Sequence, residues 1–169
     1  MLWMNVAGLG CSSITFILLL TGISTTYWFV SVGVDPYYVG LWKLCTKDEC
    51  LDLDGTGFIN ATRGFLIISS FLLFFGMICS CLGFMKFNVG RISACLASAI
   101  LEGLAALFLL IGMAIYTSKT SAVVSKGLGH LQWSFYLCWT SDVLLIISGI
   151  FQLLAHRSSP LPLPGYESV

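Results

Sequence analysis

The chain has 169 residues, zero formal net charge and a mean hydropathy of +0.94, with 57% hydrophobic and only 9% charged residues. A soluble domain carries roughly a quarter of its residues charged, so this composition excludes an ordinary water-soluble domain, and the charge balance gives no reason to expect nucleic acid or a polyanionic partner. The expected solvent is the lipid bilayer, and function is expected in the loops and in membrane placement.

Four apolar stretches organise residues 1–157. No charge occurs from Met1 to Val34, and a helix is expected over about residues 5–26. It lacks a positive n-region and its apolar core outlasts the h-region of a signal peptide, so it reads as a retained span. Residues 64–85 contain no charge, 92–116 contain only Glu102, and 134–156 contain only Asp142. About 20 apolar residues cross a hydrocarbon core of roughly 30 Å, so all four qualify as transmembrane helices. Four spans put both ends of the bundle on one side and leave 158–169 as a tail there.

The first loop, 27–63, is long enough to be a folded layer. "YWFVSV" and "VGLWKLC" are aromatic and β-branched, Leu51 and Leu53 alternate with Asp52 and Asp54, and "DGTG" at 54–57 is a turn signal. A short antiparallel sheet on the membrane surface follows, too small to hold itself together by burial. A bond between Cys45 and Cys50 would close a hairpin tipped by "TKDE" and implies an oxidising compartment. Free thiols or half a zinc site are the alternatives, but zinc needs further ligands, and the loop has no His and no other Cys. "NAT" at 60–62 makes Asn60 a glycosylation acceptor by pattern; its closeness to helix two favours a chance sequon. The second loop, 117–133, carries Lys119 and Lys126. The positive-inside rule is not satisfied by total count, with Lys86, Arg91 and Arg157 on the proposed cytosolic side against Lys43, Lys47, Arg63, Lys119 and Lys126 on the outer side, although Lys86 and Arg91 are concentrated in the short link between helices two and three; the cysteine pair places the first loop outside.

Trp28, Gly40-Leu41-Trp42, Cys45, Cys50 and Arg63, in that order on a four-span chain, resemble the claudin superfamily, which includes peripheral myelin protein, the epithelial membrane proteins and the lens fibre membrane protein. The similarity covers nearly the whole chain. "GLWKLC" and "INATR" echo the lens fibre protein; "WSFYLCW" at 133–139 and "PLPGYESV" resemble the natural killer cell granule protein, from which the cysteine pair is a departure. The resemblance implies an all-α membrane protein: a left-handed four-helix transmembrane bundle topped by a small extracellular antiparallel β-sheet, with no catalytic site. Trp28 and Gly40-Leu41-Trp42 would anchor the sheet at the bilayer surface. The first loop is shorter than in junction-forming claudins, which argues against a paracellular pore.

Beyond Arg157, Pro160, Pro162 and Pro164 favour an extended tail. Gly165, Tyr166 and Val169 are similar to the Gly-Tyr-x-x-apolar sorting signals captured by clathrin adaptors, and the Val169 carboxylate would also suit a PDZ domain. Within the membrane, Glu102 and Asp142 must face the bundle or be protonated, because a charged carboxylate at mid-bilayer costs about 3 kcal/mol or more. They are proton- or ion-linked elements, partner contacts, or neutral acids bonded to Ser98, Thr15 or Ser24. Gly8, Ser12, Ala94 and Ser98 allow close helix approach. Cys79, Cys81 and Cys95 are either palmitoylation sites or buried thiols.

No cofactor or metal site is expected: a calcium loop starting at Asp52 would need Glu where Arg63 stands, and the two histidines, His130 and His156, stand on opposite sides of the membrane. The expected function is that of a non-enzymatic four-span protein of secretory or lysosome-related granules and the plasma membrane, both termini cytosolic. It would act in exocytosis or degranulation through other membrane proteins or further copies of itself. The alternative is a cell–cell junction or adhesion protein.

Overall fold

The computed structural model describes residues 2–33, 35–85, 88–89 and 92–158. Four helices, α1 (Leu2–Ser24), α2 (Gly57–Phe84), α3 (Ala94–Ser125) and α4 (Trp133–Arg157), are each long and apolar enough to cross a membrane. α1 packs on α2 and α4, and α3 packs on the same two, closing a four-helix bundle. Its core stacks Leu19, Leu66, Leu73, Leu109, Met113 and Leu145, all fully buried. The outward faces carry Ile17, Phe71, Leu107 and Val143, and polar Ser12, Ser69, Ser98 and Ser148 are wholly buried. Apolar outside and partly polar inside is the pattern of a bundle solvated by lipid, where helix contact depends on packing and polar bonds.

Above one end of the bundle lies an antiparallel sheet of β1 (Phe29–Ser31), β2 (Tyr38–Val39), β3 (Lys43–Cys45), β4 (Cys50–Asp52) and β7 (Gly129–Leu131), ordered β4-β3-β2-β1-β7. The first loop supplies four strands. The fifth comes from the second loop, pairing Phe29 with Leu131 and Ser31 with Gly129, so both outer loops form one layer. Between α2 and α3, β5 (Asn88–Val89) pairs with β6 (Ile92–Ser93).

Two helices outrun the expected bounds. α2 starts at Gly57, not 64: Thr56 sits in extended backbone as its N-cap, and Phe58, Ile59 and Thr62 give the first two turns an inward face. "DGTG" therefore runs straight into the helix, Gly57 being its first residue, rather than closing a turn. α3 continues past 116 to Ser125, which at about 1.5 Å per residue makes it about 48 Å long, well beyond the hydrocarbon core. A charged or hydroxylated residue ends a hydrocarbon span without ending a helix. What stops α3 is Gly127, at φ 70°: its N–H donates to the Val124 carbonyl and that of Leu128 to Val123, the left-handed terminating motif.

Candidate functional site

The quoted motif residues build the joint between sheet and bundle. Gly40 is forced: a Cβ there would lie 2.6 Å from Thr26 Cα and 2.9 Å from the Thr25 carbonyl oxygen. This close approach seats Leu41, fully buried, in the core. Two indoles then bind the end of α1, where carbonyls lack helical partners: Trp28 Nε1 donates to the Gly22 carbonyl at 2.7 Å and Trp42 Nε1 to that of Ile23 at 3.1 Å. Trp42 is 39% exposed, consistent with an interfacial ring. Trp28 differs from the surface anchor expected of it: it is wholly buried, edge-on to Tyr116 (4.9 Å between centroids) and Phe135 (6.2 Å), because α3 and α4 close over it. Half-exposed Tyr27, stacked on Trp133 and edge-on to Tyr38, forms an outer aromatic cluster.

Arg63, in the second turn of α2, holds the sheet from the other side. Its Nε donates to the Leu41 carbonyl (2.7 Å), Nη2 to that of Leu53 (2.8 Å) and Nη1 to Asn60 Oδ1 (2.9 Å), and its guanidinium lies 4.9 Å from the Trp42 ring centroid. Guanidinium geometry suits this fan of acceptors and the aromatic face. Cys45 and Cys50 are disulfide-bonded across β3 and β4. Asn60 Nδ2, the atom a glycan would modify, donates to the Gly55 carbonyl.

A second constellation lies within the bundle. Ser12 Oγ is 2.7 Å from Glu102 Oε1 and 2.6 Å from Ser148 Oγ; Ser148 Oγ is 2.8 Å from the Gly8 carbonyl oxygen. Ser98 donates to the Gly76 carbonyl (2.9 Å) and lies 3.3 Å from Glu102 Oε1. Gly76 leaves the space Glu102 occupies, since a Cβ there would sit 3.1 Å from Glu102 Cγ. One turn further from the sheet, Gln152 Nε2 donates to Ser80 Oγ (2.6 Å), which donates to Asn5 Oδ1 (3.3 Å). Glu102 Oε2, Gln152 Oε1 and Asp142 Oδ1 are buried without a hydrogen-bond partner among the described residues.

Of the hydroxyls expected to partner Glu102 or Asp142, Ser98 is beside Glu102, from its own helix. Thr15 instead donates to the Cys11 carbonyl, and Ser24 is exposed. Ser12 and Ser148 take their places, and Glu102 lies in the third of α3 remote from the sheet, because α3 runs so far outward. Sequence reasoning missed Ser148, Gln152, Asn5 and Ser80. The signal for two of them was the four-residue spacing of Ser148 and Gln152, which puts both on one helical face. Cys95 is buried, Cys79 half-buried and Cys81 exposed. Among the described residues no group of His, Cys, Asp and Glu is arranged to hold a metal. Gly165, Tyr166 and Val169, like Lys86 and Arg91, lie outside the described residues.

The profile of the PMP-22/EMP/MP20/Claudin family matches residues 2–152, nearly the whole bundle and sheet. The chain belongs to this family. Among the family's relatives it is similar to the human lens fiber membrane intrinsic protein, 30% identical over 158 residues covering 89% of this chain and 90% of that protein. It is likewise similar to human Protein NKG7, 30% identical over 163 residues and 93% of each chain. Human transmembrane protein 202 is 25% identical over 86% of this chain and 56% of its own length. This is therefore a multi-pass membrane protein of the claudin-like family.

Proposed function

We propose that this protein is a non-enzymatic interaction protein of secretory or lysosome-related granules and the plasma membrane, acting in exocytosis with both ends of the bundle cytosolic. The observation that carries the reading is the sequence Gly165-Tyr166-Glu167-Ser168-Val169, which follows α4 along the chain. A tyrosine and an apolar residue at this spacing can fill two pockets of a clathrin adaptor while the strand adds to its sheet edge. The near full-length similarity to Protein NKG7 supports it, as does the cross-linked sheet, which suits a lumenal or extracellular face. Residues 1–157 form the membrane domain and 158–169 the cytosolic tail. The test is Tyr166→Ala in a granule-bearing cell: the tagged variant moves to the cell surface, and an unchanged distribution contradicts the reading.

A second reading, adhesion between neighbouring cells, is favoured by the similarity to the lens fiber protein and by apolar Val32, Leu51 and Leu128 exposed on the sheet layer. Under it, expression in non-adherent cells produces aggregates that disappear when Leu51 and Val32 are replaced by Ser.

A further inference from the structure

We propose that Glu102 is a proton-holding site, carrying its hydrogen as a neutral carboxylic acid that starts a one-directional relay through Ser12 and Ser148 to the Gly8 carbonyl. The argument is a count of hydrogens. The three shortest contacts run in sequence: Glu102 Oε1 to Ser12 Oγ (2.7 Å), Ser12 Oγ to Ser148 Oγ (2.6 Å) and Ser148 Oγ to the Gly8 carbonyl oxygen (2.8 Å); a fourth and longer one, 3.0 Å, joins Ser12 Oγ to the same carbonyl. Each needs one hydrogen. The two serines bring one each, a carbonyl oxygen brings none, and an ionised carboxylate is acceptor-only. With Glu102 ionised, two hydrogens serve the four contacts, and at least one of the three shortest is left with nothing between its oxygens. With the hydrogen on Glu102, the acid donates to Ser12, Ser12 to Ser148, and Ser148 to Gly8, so each of the three shortest contacts is filled once and only the 3.0 Å contact of Ser12 to the Gly8 carbonyl goes without.

Ser98 cannot make up the deficit, because its hydrogen goes to the Gly76 carbonyl at 2.9 Å and its distance to Glu102 is 3.3 Å. The other carboxyl oxygen agrees. Oε2 is buried without a partner among the described residues, a state tolerable for the carbonyl oxygen of a neutral acid and far costlier for half of an anion.

The relay joins three helices: Glu102 stands on α3, Ser12 and Gly8 on α1, and Ser148 on α4. Loss of the hydrogen therefore strands an anion where these helices meet and removes one bond of the chain linking them. The site is closed toward the sheet by the apolar core at Leu19, Leu109 and Leu145, and is continued toward the opposite end by Gln152, Ser80 and Asn5. Proton exchange is accordingly assigned to the end of the bundle that carries residues 2 and 157.

The test is infrared spectroscopy of the full chain in lipid nanodiscs at neutral pH, wild type against Glu102→Gln. The variant keeps its fold, since the amide donates where the acid did, and the difference spectrum shows a protonated-carboxyl C=O band present in the wild type and lost in the variant. In Ser12→Ala, where the acid loses its acceptor, that band moves to higher frequency. Loss of an ionised-carboxylate band in Glu102→Gln overturns the proposal. So does an unmoved C=O band in Ser12→Ala, which decides the matter even where Glu102→Gln does not fold.

Discussion

Arg63 reaches two carbonyls of the first loop, the side chain of Asn60 and the face of Trp42 from a single position on α2. Lysine has the charge but neither the planar fork nor the reach to serve these acceptors together. Replacing Arg63 with Lys therefore leaves at least one half-buried carbonyl unserved, at about 2 kcal/mol for a lost charge-assisted bond. Thermal unfolding of the purified chain should show this loss, with Trp42 more accessible to a fluorescence quencher. Asn60 leads to a second prediction. Its amide is engaged with Gly55, and Thr62, the third residue of the acceptor pattern, is wholly buried and bonded to the Phe58 and Gly112 carbonyls. Asn60→Gln should therefore leave gel mobility unchanged, as should glycosidase treatment of the wild type. At this scale the Trp, Gly-Leu-Trp and cysteine positions were legible because each requires a residue type that nothing else replaces. The hydroxyl partners of Glu102 were not: Ser12, Thr15 and Ser24 look alike in sequence, and only the rotation of α1 against α4 chooses among them.

Among the elements, β7 shows best what a linear reading cannot find. "GHL" is three residues with no period and no β-branched side chain, and it becomes a strand because Gly127 ends α3 in a left-handed turn and Gly129 lets β1 come close. A side chain at Gly129 would collide with the Phe29 ring and the Val30 carbonyl. Gly129→Val should detach β7, costing about 1–3 kcal/mol by overpacking, with faster amide exchange at Val32 and Gln132, whose N–H groups donate to the Leu128 and Trp28 carbonyls across this pairing, and little change in the spans. The hairpin of β3 and β4 is held differently. Its three residue pairs bury little, since β4 is exposed throughout, so the cross-link supplies what burial does not. Cys45→Ser should cost about 2 kcal/mol through the entropy of closing a loop of this size, read as a lowered unfolding midpoint of the sheet under non-reducing conditions. The four spans were legible because apolar runs of over 20 residues have few other uses. The outer ends of α2 and α3 were not, because the helical backbone continues into water after the apolar run stops.

Over the whole molecule, a girdle of Ile, Leu and Phe faces outward, Ser, Gln and Glu are enclosed, and a cross-linked sheet is bolted to one end through Trp28, Trp42 and Arg63. Sheet and polar core lie at different heights of one bundle, and α1 bears on both, giving its last carbonyls to the indoles and Ser12 to Glu102. All of it depends on a bilayer around the four helices, with the sheet on the oxidising side and the far ends of α1 and α4 on the other. The measurement that tests this most directly is sidedness in intact cells, with one short epitope inserted between Lys47 and Asp48 and another after Ser158. The loop epitope should be stained without permeabilisation, at the surface or by antibody taken up into granules, and the second epitope only after permeabilisation. Staining of both from the same side, or of the loop only from the cytosol, would contradict the account.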